Sequence, residues 1–138
     1  MLDALFFGDW MKEIITLIRR EKTKATKQKL ADQEFIPYTE KQVLGRGKQL
    51  GLHYPQMESS PWPSLGIPFL PKSMLTIFVN DENVEQVIAI IKDANKTGEI
   101  GDGKIFVCPA EDVVRIRTDE RGREALSITE ERDINASV

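Results

Sequence analysis

Residues 97–117 read Thr-Gly-Glu-Ile-Gly-Asp-Gly-Lys-Ile-Phe-Val-Cys-Pro-Ala-Glu-Asp-Val-Val-Arg-Ile-Arg, and they decide the fold because a glycine loop here links a predicted helix to a predicted strand. Gly101 and Gly103 flank Asp102, so the backbone can adopt positive φ angles and present its N–H groups to an anion. Lys104 adds a positive charge at the end of the loop. The stretch therefore predicts a phosphate-binding loop between a helix and a strand.

Two arginines follow this loop. Residues 113–118 alternate like a short fifth strand, which predicts that Arg115 and Arg117 lie on one face, roughly 6–7 Å apart. Alternating arginines are often a solvated face, but the apolar residues between them predict a half-buried strand that holds both side chains in place. Two fixed guanidinium groups at that spacing suit a polyphosphate.

The glycine loop differs from an ordinary P-loop. Gly98, Gly103 and Lys104 have the Walker A spacing, yet Ile105 stands where a P-loop has Ser or Thr for magnesium. A P-loop also connects a strand to a following helix, whereas this loop follows a helix and enters a strand. A glycine turn with a solvated lysine is the simpler alternative for this loop taken alone.

Strands and helices alternate along the rest of the chain. Short apolar, β-branched runs predict strands at residues 12–18, 38–44, 72–79 and 105–107, and amphipathic segments predict helices at residues 21–34 and 82–95. This order predicts an α+β, ferredoxin-like βαββαβ fold, with a four-stranded antiparallel sheet and two helices on one face. Because apolar residues project from both sides of the strands, oligomerisation is expected to cover the other face.

The composition limits the class of protein. The chain has 138 residues, 41% of them hydrophobic, and a formal net charge of −3, which fits one folded domain and does not favour nucleic-acid binding. Cys108 is the only cysteine, so intrachain disulfides are excluded and a reducing, cytoplasmic location is expected. Residues 1–10 lack a basic start and are too short to cross a bilayer, so no membrane insertion is expected.

A second glycine loop with cations, Gly45-Arg46-Gly47-Lys48-Gln49, opens a long proline-rich connection at residues 46–70. Connections of this length inside a small domain are usually functional or disordered. We expect an N-terminal extension at residues 1–10, one domain at residues 11–126 and a flexible tail at residues 127–138.

These motifs together resemble the family of PII nitrogen-regulatory signal transduction proteins. Residues 97–107 carry the family's C-terminal signature, residues 113–118 its arginine strand and residues 45–49 the start of its T-loop, here residues 46–70. The Gly-Arg-Gly-Lys-Gln motif, the Cys108-Pro109 pair and the long T-loop are similar to the branch encoded beside nitrogenase genes in archaea and some anaerobic bacteria.

The resemblance implies a trimer, or a mixed oligomer with a paralogous PII subunit, that binds ATP or ADP between neighbouring subunits. The implied nucleotide-binding residues are Thr39, Gly45, Gly47, Lys48, Gln49, Thr97, Gly101, Asp102, Gly103, Lys104, Arg115 and Arg117. Thr39 would line the adenine pocket, and the two arginines would reach the phosphates from the adjacent subunit. Gln49 would help hold the magnesium that bridges ATP to 2-oxoglutarate, and Lys72 would pair with a 2-oxoglutarate carboxylate.

The resemblance also implies a regulator without enzymatic activity. Nucleotide and 2-oxoglutarate would set the T-loop conformation, and the loop would engage a target protein, with nitrogenase expected. The implied partner-binding residues are Trp62, Leu65, Ile67 and Phe69.

Two departures and two alternatives accompany this interpretation. Lys48 replaces the arginine of most relatives, so its phosphate contact would be monodentate, and Tyr54 lies too near the loop base for the usual uridylylation. One alternative is a nucleotide-hydrolysing enzyme that uses Asp102 and Glu111. The other is a CutA-like structural trimer without nucleotide.

Overall fold

The computed structural model describes residues 11–45 and 69–127. The strands are β1 (Met11–Arg19), β2 (Tyr38–Gly45), β3 (Leu70–Asn80) and β4 (Lys104–Ala110), and the helices are α1 (Thr23–Asp32), α2 (Val84–Asn95) and α3 (Arg123–Leu126). Short 3-10 turns, Arg20–Lys22 and Asp81–Asn83, lead into α1 and α2. The N-terminal extension, most of the T-loop and nearly all of the predicted tail lie outside the described residues.

The four strands form one antiparallel sheet in the order β2-β3-β1-β4. Strands β1 and β2 are joined through α1, strands β3 and β4 through α2, and β3 lies between β2 and β1. This arrangement confirms the predicted ferredoxin-like α+β fold.

The core lies between the sheet and the two long helices. Ile14 of β1 pairs with Ile77 of β3, and both pack against Val87 and Ile91 of α2 and Leu30 of α1. The apolar residues of α2 recur at helical spacing, as the sequence predicted, so one stripe of this helix is buried.

Helix α1 packs through hydrogen-bonded threonine hydroxyl groups as well as through apolar side chains. Thr26 accepts a hydrogen bond of 2.9 Å from the buried amide of Asn95, and Thr23 donates one of 2.8 Å to Ser73. Ala25 is exposed, and the two hydrogen-bonded threonines lie with Leu30 on the buried face of the helix.

The face of the sheet opposite α1 and α2 also carries apolar side chains. The register places Ile15, Leu17 and Phe106 on this face together with Met74 and Phe78. In the single chain Phe78 and Phe106 keep 41% and 46% of their surface exposed. Apolar residues therefore project from both sides of the sheet, as predicted, and the trimer stays a prediction.

Residues 113–118 do not form the predicted fifth strand. Val114 makes a single bridge to Arg121, and the backbone reverses between them, with the N–H of Arg115 bonded to the carbonyl of Glu120 at 2.9 Å. Ile116 is 95% exposed. The predictions of a half-buried strand and of two arginines on one strand face are wrong, because this segment satisfies its backbone within its own turn.

Candidate functional site

The glycine loop, residues 97–104, turns sharply at three positions with positive φ: Gly98 (88°), Gly101 (100°) and Gly103 (117°). Gly103 passes so close to β1 that a Cβ atom there would lie 2.0 Å from the carbonyl oxygen of Leu17. Only glycine fits this position, because it combines the left-handed backbone with a close approach to another strand.

The carboxylate of Asp102 organises the loop from the inside. It accepts hydrogen bonds from the amides of Thr97 and Gly98 at 2.8 and 2.9 Å and from the hydroxyl of Thr97. Arg19 donates to it at 2.7 Å. The hydroxyl and amide of Thr97, then Arg19 and Gly98, hold the pKa of Asp102 well below its usual range. Asp102 is therefore ionised and committed to the loop's own donors.

Arg19 is a site residue that the sequence reasoning missed. Its guanidinium also donates to the carbonyl of Ile100 at 3.0 Å, so one side chain from the end of β1 holds the loop at two points. The antiparallel register, which pairs Arg19 with Lys72, is the signal that could have found it.

Lys72, at the start of β3, lies against the same loop. Its ammonium group donates to the carbonyl of Gly101 at 2.9 Å, and Gly45 lies beside its aliphatic chain. Partial burial, followed by the charge of Arg19, lowers the pKa of Lys72. The structure thus brings Lys72, Gly45 and the glycine loop together at one end of the sheet, with Lys104 exposed at the start of β4.

Arg115 and Thr39 lie in a different place. They line a cleft of about 650 Å³, which also contains Phe78 and Asn80 at the end of β3. Arg115 forms an ion pair with Glu120 at 3.0 Å and donates to the carbonyls of residues 125 and 127. Arg117 lies in the exposed turn that follows.

Within one chain the two groups of residues are far apart. Lys72 and Asn80 are at opposite ends of β3, separated by roughly 26 Å at about 3.3 Å per residue. The structure therefore does not bring Arg115 to the glycine loop of the same chain.

Comparison with known proteins decides the family. A family model described as nitrogen regulatory protein P-II matches residues 11–120. The chain belongs to the PII family. Proteins of this family are regulators of nitrogen metabolism rather than enzymes, which confirms the resemblance drawn from the glycine loop and the arginine motif.

Relatives of this PII protein carry names linked to nitrogen fixation. It is 44% identical over 122 residues to "Nitrogen fixation nifHD region glnB-like protein 2" of Methanococcus maripaludis, covering 84% of this chain and 100% of the relative. It is 43% identical over 121 residues to the protein of the same name from Methanothermobacter marburgensis, with coverage of 84% and 100%. These names match the nitrogenase-associated branch that the sequence indicated.

A solved structure of a PII protein shares the fold. The crystal structure of Arabidopsis thaliana PII bound to citrate matches with a TM-score of 0.67 and 30% identity, covering 85% of this chain and 92% of that one.

Several predicted site residues of this PII protein lie outside the described residues: Gly47, Lys48, Gln49, Trp62, Leu65 and Ile67. Phe69 is described and is 45% exposed. Within residues 11–45 and 69–127, no group of three His, Cys, Asp or Glu side chains could hold a metal ion. No helix in those ranges is long and apolar enough to cross a membrane.

Replacing Gly103 tests the close approach of the loop to β1. We expect Gly103→Ala to lower the free energy of unfolding by more than Gly98→Ala. Both changes place Ala at positive φ, which costs about 1–2 kcal/mol, but only the methyl group at position 103 would meet the Leu17 carbonyl. Denaturant unfolding of the two variants at one protein concentration measures this difference, and equal losses would contradict the close approach.

Proposed function

We propose that this PII protein is a non-enzymatic, cytoplasmic sensor that binds ATP or ADP and 2-oxoglutarate, and that it controls a target protein through its T-loop. The proposal rests on one observation: the predicted site residues lie in two separate places within one chain. The glycine loop with Lys72 lies at one end of the sheet, whereas the cleft lined by Arg115 and Thr39 extends to Asn80 at the other end of β3. A nucleotide that needs both the loop and Arg115 must therefore bind between two chains.

The glycine loop supplies the first half of the nucleotide site. Its conformation is fixed by the chain itself, because Asp102 and Arg19 bind its internal donors and acceptors. Lys104 is exposed at the loop's end and would meet the phosphates as a point charge. A preorganised backbone with an adjacent cation is what phosphate binding requires.

The second half would come from a neighbouring subunit. Thr39 and Arg115 share one cleft, where Thr39 would contact the adenine; Arg115 and Arg117 would contact the phosphates. Phe78 and Phe106 on the second face of the sheet supply apolar surface for subunit contacts, and burying such surface is the main driving force for association. A trimer, of this chain alone or mixed with a paralogous PII subunit, would repeat the two-sided cleft.

Lys72 is the residue that would bind a dicarboxylate as the second ligand. Its ammonium group lies against the glycine loop and would attract a carboxylate, whereas Arg19 beside it is paired with Asp102. The related Arabidopsis protein is named as bound to citrate. Magnesium would be held by Gln49 together with ATP and 2-oxoglutarate.

The target we propose is nitrogenase, contacted by Trp62, Leu65, Ile67 and Phe69. The relatives' names refer to the nifHD region of nitrogen fixation, and Phe69 presents an exposed aromatic ring at the end of the T-loop. We expect nitrogenase to co-purify with the protein when 2-oxoglutarate is low and to dissociate when it is added with ATP. If the same amount of nitrogenase co-purifies with and without 2-oxoglutarate, this proposed control is wrong.

A nucleotide-hydrolysing enzyme is less well supported. The carboxylate of Asp102 is occupied by the loop's own donors, so it is not available to activate water, and Glu111 lies exposed beyond the end of β4.

Mixing two defective variants tests whether the site spans two subunits. We expect Lys104→Ala and the double variant Arg115→Ala, Arg117→Ala each to lose most ATP binding in isothermal titration calorimetry. In oligomers co-assembled from equal amounts of both, about one quarter of the clefts would pair an intact loop with intact arginines. ATP binding should therefore return to about one quarter of the sites.

Two results would oppose this proposal. If neither variant loses ATP binding, the site is elsewhere. If each loses it and the mixed oligomer recovers none, the two halves do not meet across a subunit boundary. Sedimentation of each variant, expected to match the unmodified protein, controls for loss of assembly.

A further inference from the structure

We propose that Glu120 and the following C-terminal segment, residues 119–127, compete with nucleotide phosphates for Arg115 and so hold the arginine half of the site in a low-affinity state. This inference rests on the proposed function, because it concerns how the same nucleotide site is regulated. It adds a residue, Glu120, and a releasable segment that the nucleotide must displace.

Arg115 is already bound to acceptors of its own chain. Its guanidinium contacts the carboxylate of Glu120 at 3.0 Å and the carbonyls of Ala125 and Ser127 at 3.1 and 2.7 Å. The side chains of Arg115 and Glu120 are only 19% and 21% exposed. A partly buried ion pair is screened less than a surface pair, so Glu120 is a strong competitor for an incoming phosphate.

The turn of the backbone fixes Glu120 in this position. The N–H of Arg115 bonds to the carbonyl of Glu120 at 2.9 Å, and the adjacent residues Val114 and Arg121 form a bridge. Asp119 adopts a positive φ of 60° at the point of reversal. The carboxylate is therefore presented to the guanidinium by a closed turn rather than by chance contact of two long side chains.

The same segment lines the cleft. Ala125, Leu126 and Ser127 line it together with Thr39 and Phe78. A nucleotide entering next to Thr39 would meet these residues as well as the Arg115–Glu120 pair. Nucleotide binding and withdrawal of the segment from the cleft are therefore linked.

An exposed ion pair holds residues 119–127 in place. Arg123 of α3 donates to Glu82, before α2, through both of its terminal nitrogens, one at 3.1 Å. Exposed pairs of this kind are weak in water. The Arg123–Glu82 pair therefore holds the segment only weakly, and it can open when phosphate takes over Arg115.

Removing the competing charge should strengthen nucleotide binding. We expect Glu120→Gln to bind ATP at least about fivefold more tightly than the unmodified protein, in the usual range of coupling between two equilibria. Asp119→Asn is the matched control: it removes one negative charge from the neighbouring residue, tolerates the positive φ and should change affinity far less. Calorimetry on the intact oligomers measures all three proteins.

The outcomes separate this inference from the proposed function. Equal or weaker ATP binding by Glu120→Gln, beside normal binding by the unmodified protein, would overturn the competition alone. An equal gain in Asp119→Asn would also overturn it, because general charge would then explain the effect. Absence of ATP binding in the unmodified protein would overturn both.

Hydrogen exchange of the unmodified protein gives a second readout that needs no substitution. Backbone amides in residues 119–127 should exchange faster once ATP is bound, because the segment is released from Arg115. Unchanged or slower exchange there on ATP binding would contradict the proposal.

Discussion

The carboxylate of Asp102 is the group on which the site depends. A loop with three glycines at positive φ would sample many backbone conformations without a fixed partner. Asp102 supplies that partner by binding the amides of Thr97 and Gly98, and Arg19 joins this closed loop to β1. Lys72 then holds the Gly101 carbonyl from β3, so two strands of the sheet define one loop.

The sheet that fixes the loop also keeps the arginines away from it. Arg115 follows β4 into a cleft that extends to Asn80 at the far end of β3 and that Thr39 and Phe78 also line. In the proposed nucleotide site, one chain supplies two half-sites that it cannot bring together by itself. Assembly would complete the site, and the apolar second face of the sheet would provide the surface for it. The proposal therefore links ligand occupancy to subunit contact.

Local patterns predicted the elements well. The apolar spacing of α2 and the glycines with positive φ both follow from residues near one another in sequence, and these predictions are confirmed. The fifth strand at residues 113–118 was wrong because a short alternating run also fits an exposed turn. Arg19 and Glu120 were missed for another reason: the partner of Arg19 lies 83 residues away, and that of Glu120 is reached only because the chain reverses at Asp119.

ATP binding by Asp102→Asn tests most directly whether this carboxylate fixes the site. We expect the variant to keep its secondary structure but to bind ATP at least about tenfold more weakly, since an amide cannot replace a carboxylate that accepts several hydrogen bonds. Folding lowers the pKa of Asp102. The ionised carboxylate therefore stabilises the folded protein above about pH 4, and this stabilisation is lost as the pH falls. For that reason Asp102→Asn should lose less stability than the unmodified protein on acidification. Asp93→Asn, which removes a surface carboxylate paired with Lys29, is the matched control and should bind ATP normally. If Asp102→Asn binds ATP as tightly as Asp93→Asn does, Asp102 does not fix the nucleotide site.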